Sequence, residues 1–89
     1  MIKKKLEIQN KLGLHARAAV KFVNLANRFT SSIKIIKDGS EVDGKSVLGI
    51  LTLAAVQGSE IQLNVSGKDE KMALQALSDL IDDKFQEDE

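Results

Sequence analysis

Residues 2–28 read IKKKLEIQNKLGLHARAAVKFVNLANR, and the spacing of their apolar side chains changes near Gly13. Residues 2–9 alternate between apolar and polar side chains, apart from Lys4, which predicts a half-buried strand. Residues 16–28 carry polar side chains at helical spacing and predict an amphipathic helix. The apolar side of this helix is expected to comprise Ala16, Ala19, Val20, Val23 and Ala26.

The middle of the chain predicts two more strands, a helix and a fourth strand. Residues 33–43 are expected to form a hairpin, because Asp38-Gly39 suits a two-residue turn. Residues 47–56 carry no charge and predict a helix that stops before Gly58. Residues 60–66 alternate again and predict a strand. Its inward side chains are expected to be Ile61, Leu63 and Val65.

The last helix is expected to begin after Asp69, whose side chain can cap it. Its buried stripe is predicted to be Ala73, Leu74, Leu77, Leu80 and Ile81. The mostly acidic tail from Asp82 is expected to fray. The element order is then βαββαβα in a single domain, residues 1–89. This order predicts the α+β class, with three helices on one face of a four-stranded sheet and the other face in solvent.

Composition excludes several classes of partner and site. The chain has 89 residues, 13 basic and 13 acidic side chains, three phenylalanines and no cysteine. Zero net charge and few aromatic side chains disfavour nucleic-acid binding, and no apolar run is long enough for membrane insertion. One histidine without cysteines is a poor metal site, and no cofactor is expected. We expect a cytoplasmic monomer.

The single histidine, His15, precedes the first predicted helix and is the candidate functional residue. No Ser, Thr, Asp or Asn precedes this helix start, so the backbone N–H groups of Ala16 and Arg17 stay available for an anion. The Arg17 guanidinium adds a donor fork suited to phosphate. Both features disfavour a protonated ring and favour a nucleophilic imidazole that takes up a phosphoryl group. The alternative is that His15 caps the helix or decorates a turn.

The run Gly13-Leu14-His15-Ala16-Arg17, with residues 10–12 before it and Gly44-Lys45-Ser46-Val47-Leu48-Gly49 later, resembles the histidine-containing phosphocarrier (HPr) family over the whole chain. The resemblance implies an open-faced β-sandwich with an antiparallel sheet of strand order 1-4-2-3. It implies that His15 accepts a phosphoryl group on Nδ1 from enzyme I, charged by phosphoenolpyruvate, and passes it to an enzyme IIA domain. Arg17 is then its electrostatic partner, and the protein is a carrier rather than an enzyme.

One departure from the family pattern concerns Ala18, where many relatives have proline. This version of the motif resembles the nitrogen-related branch of the family. The alternative function is therefore a regulatory phosphoprotein that acts by phosphorylation-dependent binding to partners. Transfer of labelled phosphate from His15 to an enzyme IIA domain distinguishes the two.

Ser46 and the uncharged helix carry two further predictions. Ser46 by itself predicts a plain helix N-cap, whereas the resemblance implies a site phosphorylated by HPr kinase/phosphorylase. A short helix at the edge of two layers cannot bury every face, so part of its surface is predicted to bind partners, with Lys21 at its rim. The candidate residues are Val47, Leu48 and Leu51, while Ile50, Leu53 and Ala54 are expected inside.

Overall fold

A computed structural model describes residues 1–87 of the chain. The strands are β1 (Ile2–Glu7), β2 (Ser32–Lys37), β3 (Ser40–Asp43) and β4 (Glu60–Ser66), and the helices are α1 (Ala16–Ala26), α2 (Val47–Thr52) and α3 (Glu70–Asp82). A single turn of left-handed backbone, Lys84–Gln86, follows α3. The predicted order βαββαβα is confirmed.

The four strands form one antiparallel sheet in the order β1-β4-β2-β3, as the resemblance implied. Ile2 lies opposite Val65 across β1 and β4, and Ile35 lies opposite Leu63 across β2 and β4. The predicted hairpin at Asp38-Gly39 joins β2 to β3. The fold is therefore the open-faced α+β sandwich.

The core lies between the sheet and the helices. The inward side chains of β4 are fully or almost fully buried, as predicted, and so are those of β2. They pack against a buried face of each helix. The buried apolar residues of these elements are Ile33, Ile35, Ile61, Leu63, Val65, Ala18, Ala19, Phe22, Val23, Ala26, Ile50, Ala73, Leu77 and Ile81.

Helix α1 is shorter and rotated relative to the prediction. It ends at Ala26 rather than at residue 28. Ala16 and Val20, expected inside, are exposed, whereas Phe22 is fully buried. This orientation buries the large Phe22 side chain. The free energy gained by that burial exceeds the gain from burying Ala16 and Val20 at the helix edge.

Helix α2 ends four residues earlier than predicted. Its last residue is Thr52, and Ala54 adopts a left-handed backbone (φ 50°) and is exposed, contrary to the expectation that it is buried. Beyond the helix, the carbonyl of Ala55 accepts a hydrogen bond from the N–H of Leu14 at 2.9 Å. The chain therefore leaves the helix to pair with the segment before α1, and Gly58 is not the helix stop.

Asp69 precedes α3 as predicted, but its carboxylate does not cap that helix. It accepts hydrogen bonds from the backbone N–H groups of Thr30 (2.9 Å) and Ser31 (3.0 Å), and from the Ser31 hydroxyl. The hydroxyl of Ser31, followed by the N–H of Thr30, lowers the pKa of the Asp69 carboxyl against the opposing effect of burial. Asp69 therefore ties the start of α3 to the loop before β2.

The tail was expected to fray from Asp82, but this prediction is wrong for residues 82–87. Phe85 is fully buried, and the N–H groups of Gln86 and Glu87 donate to backbone carbonyls of the preceding turn. Phe85 lies in the left-handed turn beyond α3, and its side chain joins the same buried core as Leu77 and Ile81. The remainder of the predicted tail, residues 88–89, lies outside the described residues.

Candidate functional site

His15 is the N-cap residue of α1, with extended backbone (φ −78°, ψ 176°). Gly13 just upstream has a left-handed backbone (φ +66°), and a Cβ there would lie 2.4 Å from the carbonyl oxygen of Ala55. This close approach needs glycine, and it fixes the segment from which His15 projects. The His15 side chain is 26% exposed, so it is accessible but partly enclosed.

The start of α1 has no side-chain cap. The first intrahelical bond runs from the N–H of Ala19 to the carbonyl of His15 at 2.9 Å. The N–H groups of Ala16, Arg17 and Ala18 precede it and have no intrahelical acceptor. As the sequence predicted, these donors are unoccupied by any side chain within residues 1–87, and they lie beside the histidine.

Arg17 is exposed, and its guanidinium forms no hydrogen bond or ion pair with any residue in the described part of the chain. Its position two residues after His15 places a permanent positive charge near the helix start. A guanidinium that is not committed to an internal carboxylate can bind an arriving phosphoryl group.

The sequence did not predict that the C-terminal segment reaches His15. The Nε2 atom of His15 lies 2.8 Å from Oε2 of Glu87, and the second carboxylate oxygen of Glu87 accepts a hydrogen bond from Nδ2 of Asn10 at 2.6 Å. Asn10 is fully buried, and its Nδ2 also donates to the carbonyl of Gly13 at 2.7 Å. Of the two ring nitrogens of His15, Nδ1 has no hydrogen-bond partner within residues 1–87.

The net effect of these neighbours keeps Glu87 ionised. Burial alone raises the pKa of the Glu87 carboxyl, but hydrogen bonds from His15 and Asn10, together with the charges of His15 and Lys21, lower it below its usual range.

Lys21, predicted at the rim of the partner surface, forms a hydrogen bond within the protein. Its Nζ donates to the carbonyl oxygen of Phe85 at 2.6 Å. Lys21 thus connects α1 to the left-handed turn that carries Glu87 to the histidine. The signal that could have revealed this arrangement is the apolar spacing from Leu77 through Ile81 to Phe85.

Ser46 is the N-cap of α2, and its Oγ accepts a hydrogen bond from the N–H of Gly49 at 3.0 Å. The three residues predicted to bind partners are not equivalent. Leu48 is 77% exposed, whereas Val47 and Leu51 are half-buried and pack against the core. Other exposed apolar side chains on α1 and the two loops that meet near its start are Leu12, Val20 and Val56.

None of the helices described in residues 1–87 combines the length and apolar character needed to cross a membrane. In the same residues, no three histidine, cysteine or carboxylate side chains are grouped as a metal site would require.

Comparisons with known proteins agree on one family. Residues 2–83 match the family model described as "PTS HPr component phosphorylation site". The phosphocarrier protein HPr of Neisseria meningitidis is 48% identical over 89 residues, covering 100% of both chains. The crystal structure of HPr from Thermoanaerobacter tengcongensis superposes with a TM-score of 0.96 at 45% identity, covering 100% of each chain. A structure described as an HPr dimer from the same organism has a TM-score of 0.79 at 46% identity, covering 98% of this chain and 100% of that one.

Proposed function

Because this chain belongs to the HPr family of phosphocarrier proteins of the phosphotransferase system, we propose that His15 accepts a phosphoryl group from phosphorylated enzyme I and passes it to an enzyme IIA domain. The observation that carries the proposal is the geometry at the start of α1. His15, whose imidazole is partly exposed, is the N-cap residue of α1. The first N–H groups of this helix are bound by no side chain within residues 1–87.

Phosphoryl transfer at this site requires a lone pair on one ring nitrogen. Nε2 is engaged by Glu87, so Nδ1 is the nitrogen open to the donor. As the bond from Nδ1 to phosphorus forms, the bond from phosphorus to the donor atom breaks, and its electron pair stays with the donor. In the second transfer, the bond from phosphorus to Nδ1 breaks, and its electron pair returns to the ring. Positioning and charge stabilisation supply most of the catalysis in such transfers.

The groups around Nδ1 stabilise the bound phosphoryl group only moderately. The free N–H groups of Ala16 and Arg17, which form part of the positive end of the α1 dipole, contribute about 0.3–1 kcal/mol near the surface. The Arg17 guanidinium adds a charge-assisted pair in solvent, where such pairs are also weak. Modest stabilisation suits a carrier, because a phosphoryl group held tightly would not be passed on.

We place the partner-binding surface on the apolar residues between α1 and α2, with Leu48 at its centre. Leu48 is exposed, uncharged and on the helix that packs beside α1. Val47 and Leu51 contribute the edges of their side chains, and Lys21 contributes charge at the rim.

Leu48→Asp should weaken binding of enzyme I at least tenfold, measured by calorimetry. Met72→Asp, a change at an exposed residue of α3, is the matched control and should leave binding unchanged. Equal affinities of the two variants would contradict this placement.

Ser46 is proposed as a regulatory phosphorylation site for HPr kinase/phosphorylase. Its hydroxyl is half-buried at the N-terminus of α2, one residue before Val47 and two before Leu48. A phosphate there places negative charge beside the proposed docking surface, so Ser46→Asp should slow phosphoryl transfer from enzyme I. Equal transfer rates for Ser46→Asp and the unmodified protein would contradict a regulatory role, leaving Ser46 as an N-cap.

The central experiment is incubation with phosphoenolpyruvate and enzyme I, followed by intact-mass measurement. The protein should gain one phosphoryl group, and His15→Ala should gain none. Addition of an enzyme IIA domain should then remove the group from His15. An undiminished mass gain in His15→Ala would overturn the assignment. Retention of the label on His15 in the presence of enzyme IIA domains would favour the regulatory alternative.

We further propose that the protein acts in the cytoplasm as a monomer. Sedimentation at micromolar concentration should give the mass of one chain. A dimer, as in the related structure from Thermoanaerobacter tengcongensis, would contradict this.

A further inference from the structure

The carboxylate of Glu87 lies between a buried amide and the reactive ring. Its Oε1 accepts from Nδ2 of Asn10 at 2.6 Å, and its Oε2 lies 2.8 Å from Nε2 of His15. The Glu87 side chain is only 11% exposed. Both oxygens are therefore engaged, and each faces a nitrogen of defined chemistry.

We propose that Glu87 is a positioning residue for phosphoryl transfer, holding the proton of His15 on Nε2 so that the lone pair lies on Nδ1. This inference rests on the proposed function of His15 and adds a residue to it. A neutral imidazole has one N–H and one lone pair, and the hydrogen bond at one nitrogen sets which is which. A carboxylate accepts hydrogen bonds and cannot donate one, so it favours the N–H on Nε2.

The orientation of Asn10 makes the carboxylate at residue 87 specific. Nδ2 of Asn10 donates to the carbonyl of Gly13 at 2.7 Å, while its Oδ1 is buried without a partner in residues 1–87. Flipping this amide would bring two acceptors together at Gly13. Asn10 therefore presents a donor to Glu87, and residue 87 must offer an acceptor in return.

A glutamine at residue 87 would have the opposite effect on the ring. Its single carbonyl oxygen satisfies Asn10, so its NH₂ group faces Nε2 of His15. Nε2 would then accept a hydrogen bond and Nδ1 would carry the proton. The isosteric change Glu87→Gln thus inverts the tautomer, although shape and burial are nearly preserved.

The same carboxylate also matches the charge that develops during transfer. When Nδ1 bonds to phosphorus, the ring retains its Nε2 proton and becomes positively charged. The carboxylate at Nε2 stabilises that charge through a charge-assisted hydrogen bond. When the phosphoryl group leaves, its electron pair returns to Nδ1, and the ring departs as a neutral imidazole with the Nε2 proton still in place.

The segment that carries Glu87 is fixed well enough to position a ring. Phe85 is fully buried, and its carbonyl accepts from Nζ of Lys21 at 2.6 Å. Because Lys21 lies on α1, this bond connects the C-terminal turn to the helix whose N-cap residue is His15. Reacting groups lose rate steeply when displaced by about 1 Å, so this anchoring favours a role beyond surface decoration.

The test compares the protein with Glu87→Gln, Glu87→Asp and the exposed control Asp82→Asn. Nitrogen-15 spectra of the ring, recorded about two pH units above the ordinary histidine value, report the tautomer without any partner protein. Phosphoramidate, a small phosphoryl donor, then gives the rate of His15 phosphorylation followed by intact mass. Backbone amide spectra verify that each variant is folded.

The unmodified protein and Asp82→Asn should show mainly the Nε2–H tautomer. Glu87→Gln should show mainly Nδ1–H and react about tenfold more slowly, because the rate follows the reactive fraction. Glu87→Asp keeps a carboxylate and should retain the Nε2–H tautomer with a smaller loss of rate. An unchanged tautomer and rate in Glu87→Gln would overturn the role of Glu87. Phosphorylation of His15→Ala by the same reagent at the wild-type rate would instead overturn the proposed function.

Discussion

Replacing Phe85 with alanine should destabilise the protein by several kcal/mol, because the C-terminal turn is part of the core. The Phe85 side chain is fully buried and joins the same cluster as Phe22 and Ile81. Truncation of a buried phenylalanine costs about 3–5 kcal/mol from lost transfer energy and the cavity left behind. That loss is a large fraction of the roughly 5–15 kcal/mol of a typical domain.

The backbone at Phe85 does not alter this estimate. Its φ of 55° is left-handed, and alanine in the same conformation carries a similar strain. The substitution therefore tests side-chain burial alone. In urea, with a slope near 2 kcal/mol per molar, a loss of about 4 kcal/mol lowers the unfolding midpoint by about 2 M.

The assay is equilibrium urea unfolding followed by circular dichroism, with Met72→Ala as the control. Met72 lies on α3 but is 69% exposed, so its truncation should stay within about 0.5 kcal/mol. A loss below about 1 kcal/mol for Phe85→Ala, similar to the control, would refute the conclusion that the tail is anchored. It would also remove the structural basis for a fixed Glu87.

Three further substitutions each test one local contact of the fold. Gly13→Ala should lower the free energy of unfolding by more than about 1–2 kcal/mol, because a left-handed alanine is strained. Its Cβ would also lie 2.4 Å from the Ala55 carbonyl oxygen. A melting temperature equal to that of the unmodified protein would contradict this close approach. Ser46→Ala should cost about 1 kcal/mol through loss of the helix cap, and no change in urea midpoint would show that the cap contributes nothing. The lowered pKa of Asp69 stabilises the fold above its ordinary value of 3.8, and this stabilisation is lost as the pH falls through the lower folded-state value. Asp69→Asn should therefore flatten the acid limb of the stability curve, and an unchanged acid limb would exclude Asp69 as its source.

The sequence predicted best where one short pattern sufficed. The residues of β4 alternate cleanly between apolar and polar, and Asp38-Gly39 marks the turn between β2 and β3 without competing signals. The sequence therefore predicts both at their observed positions. Helix α2 was predicted too long because its length is set by a tertiary hydrogen bond. The carbonyl of Ala55 pairs with Leu14, some forty residues away, and no local pattern records that contact.

The candidate site divides in the same way. His15 and Arg17 lie at a helix start that local spacing identifies, and the structure leaves that start without a side-chain cap. Glu87 was missed because it lies 72 residues from His15 and belongs to an acidic tail whose composition is typical of disorder. The buried Phe85 was the clue, since in the sequence it continues the apolar spacing of α3 beyond the last predicted helical residue.

The strand order has a consequence for how the chain folds during synthesis. Strand β4 is hydrogen-bonded to both β1 and β2, so the N-terminal strand has no neighbour until residues 60–66 emerge from the ribosome. Such pairings between distant segments raise the contact order and slow folding. A nascent chain stalled before β4 should stay protease-sensitive, and protection should arise abruptly once that strand and α3 are released.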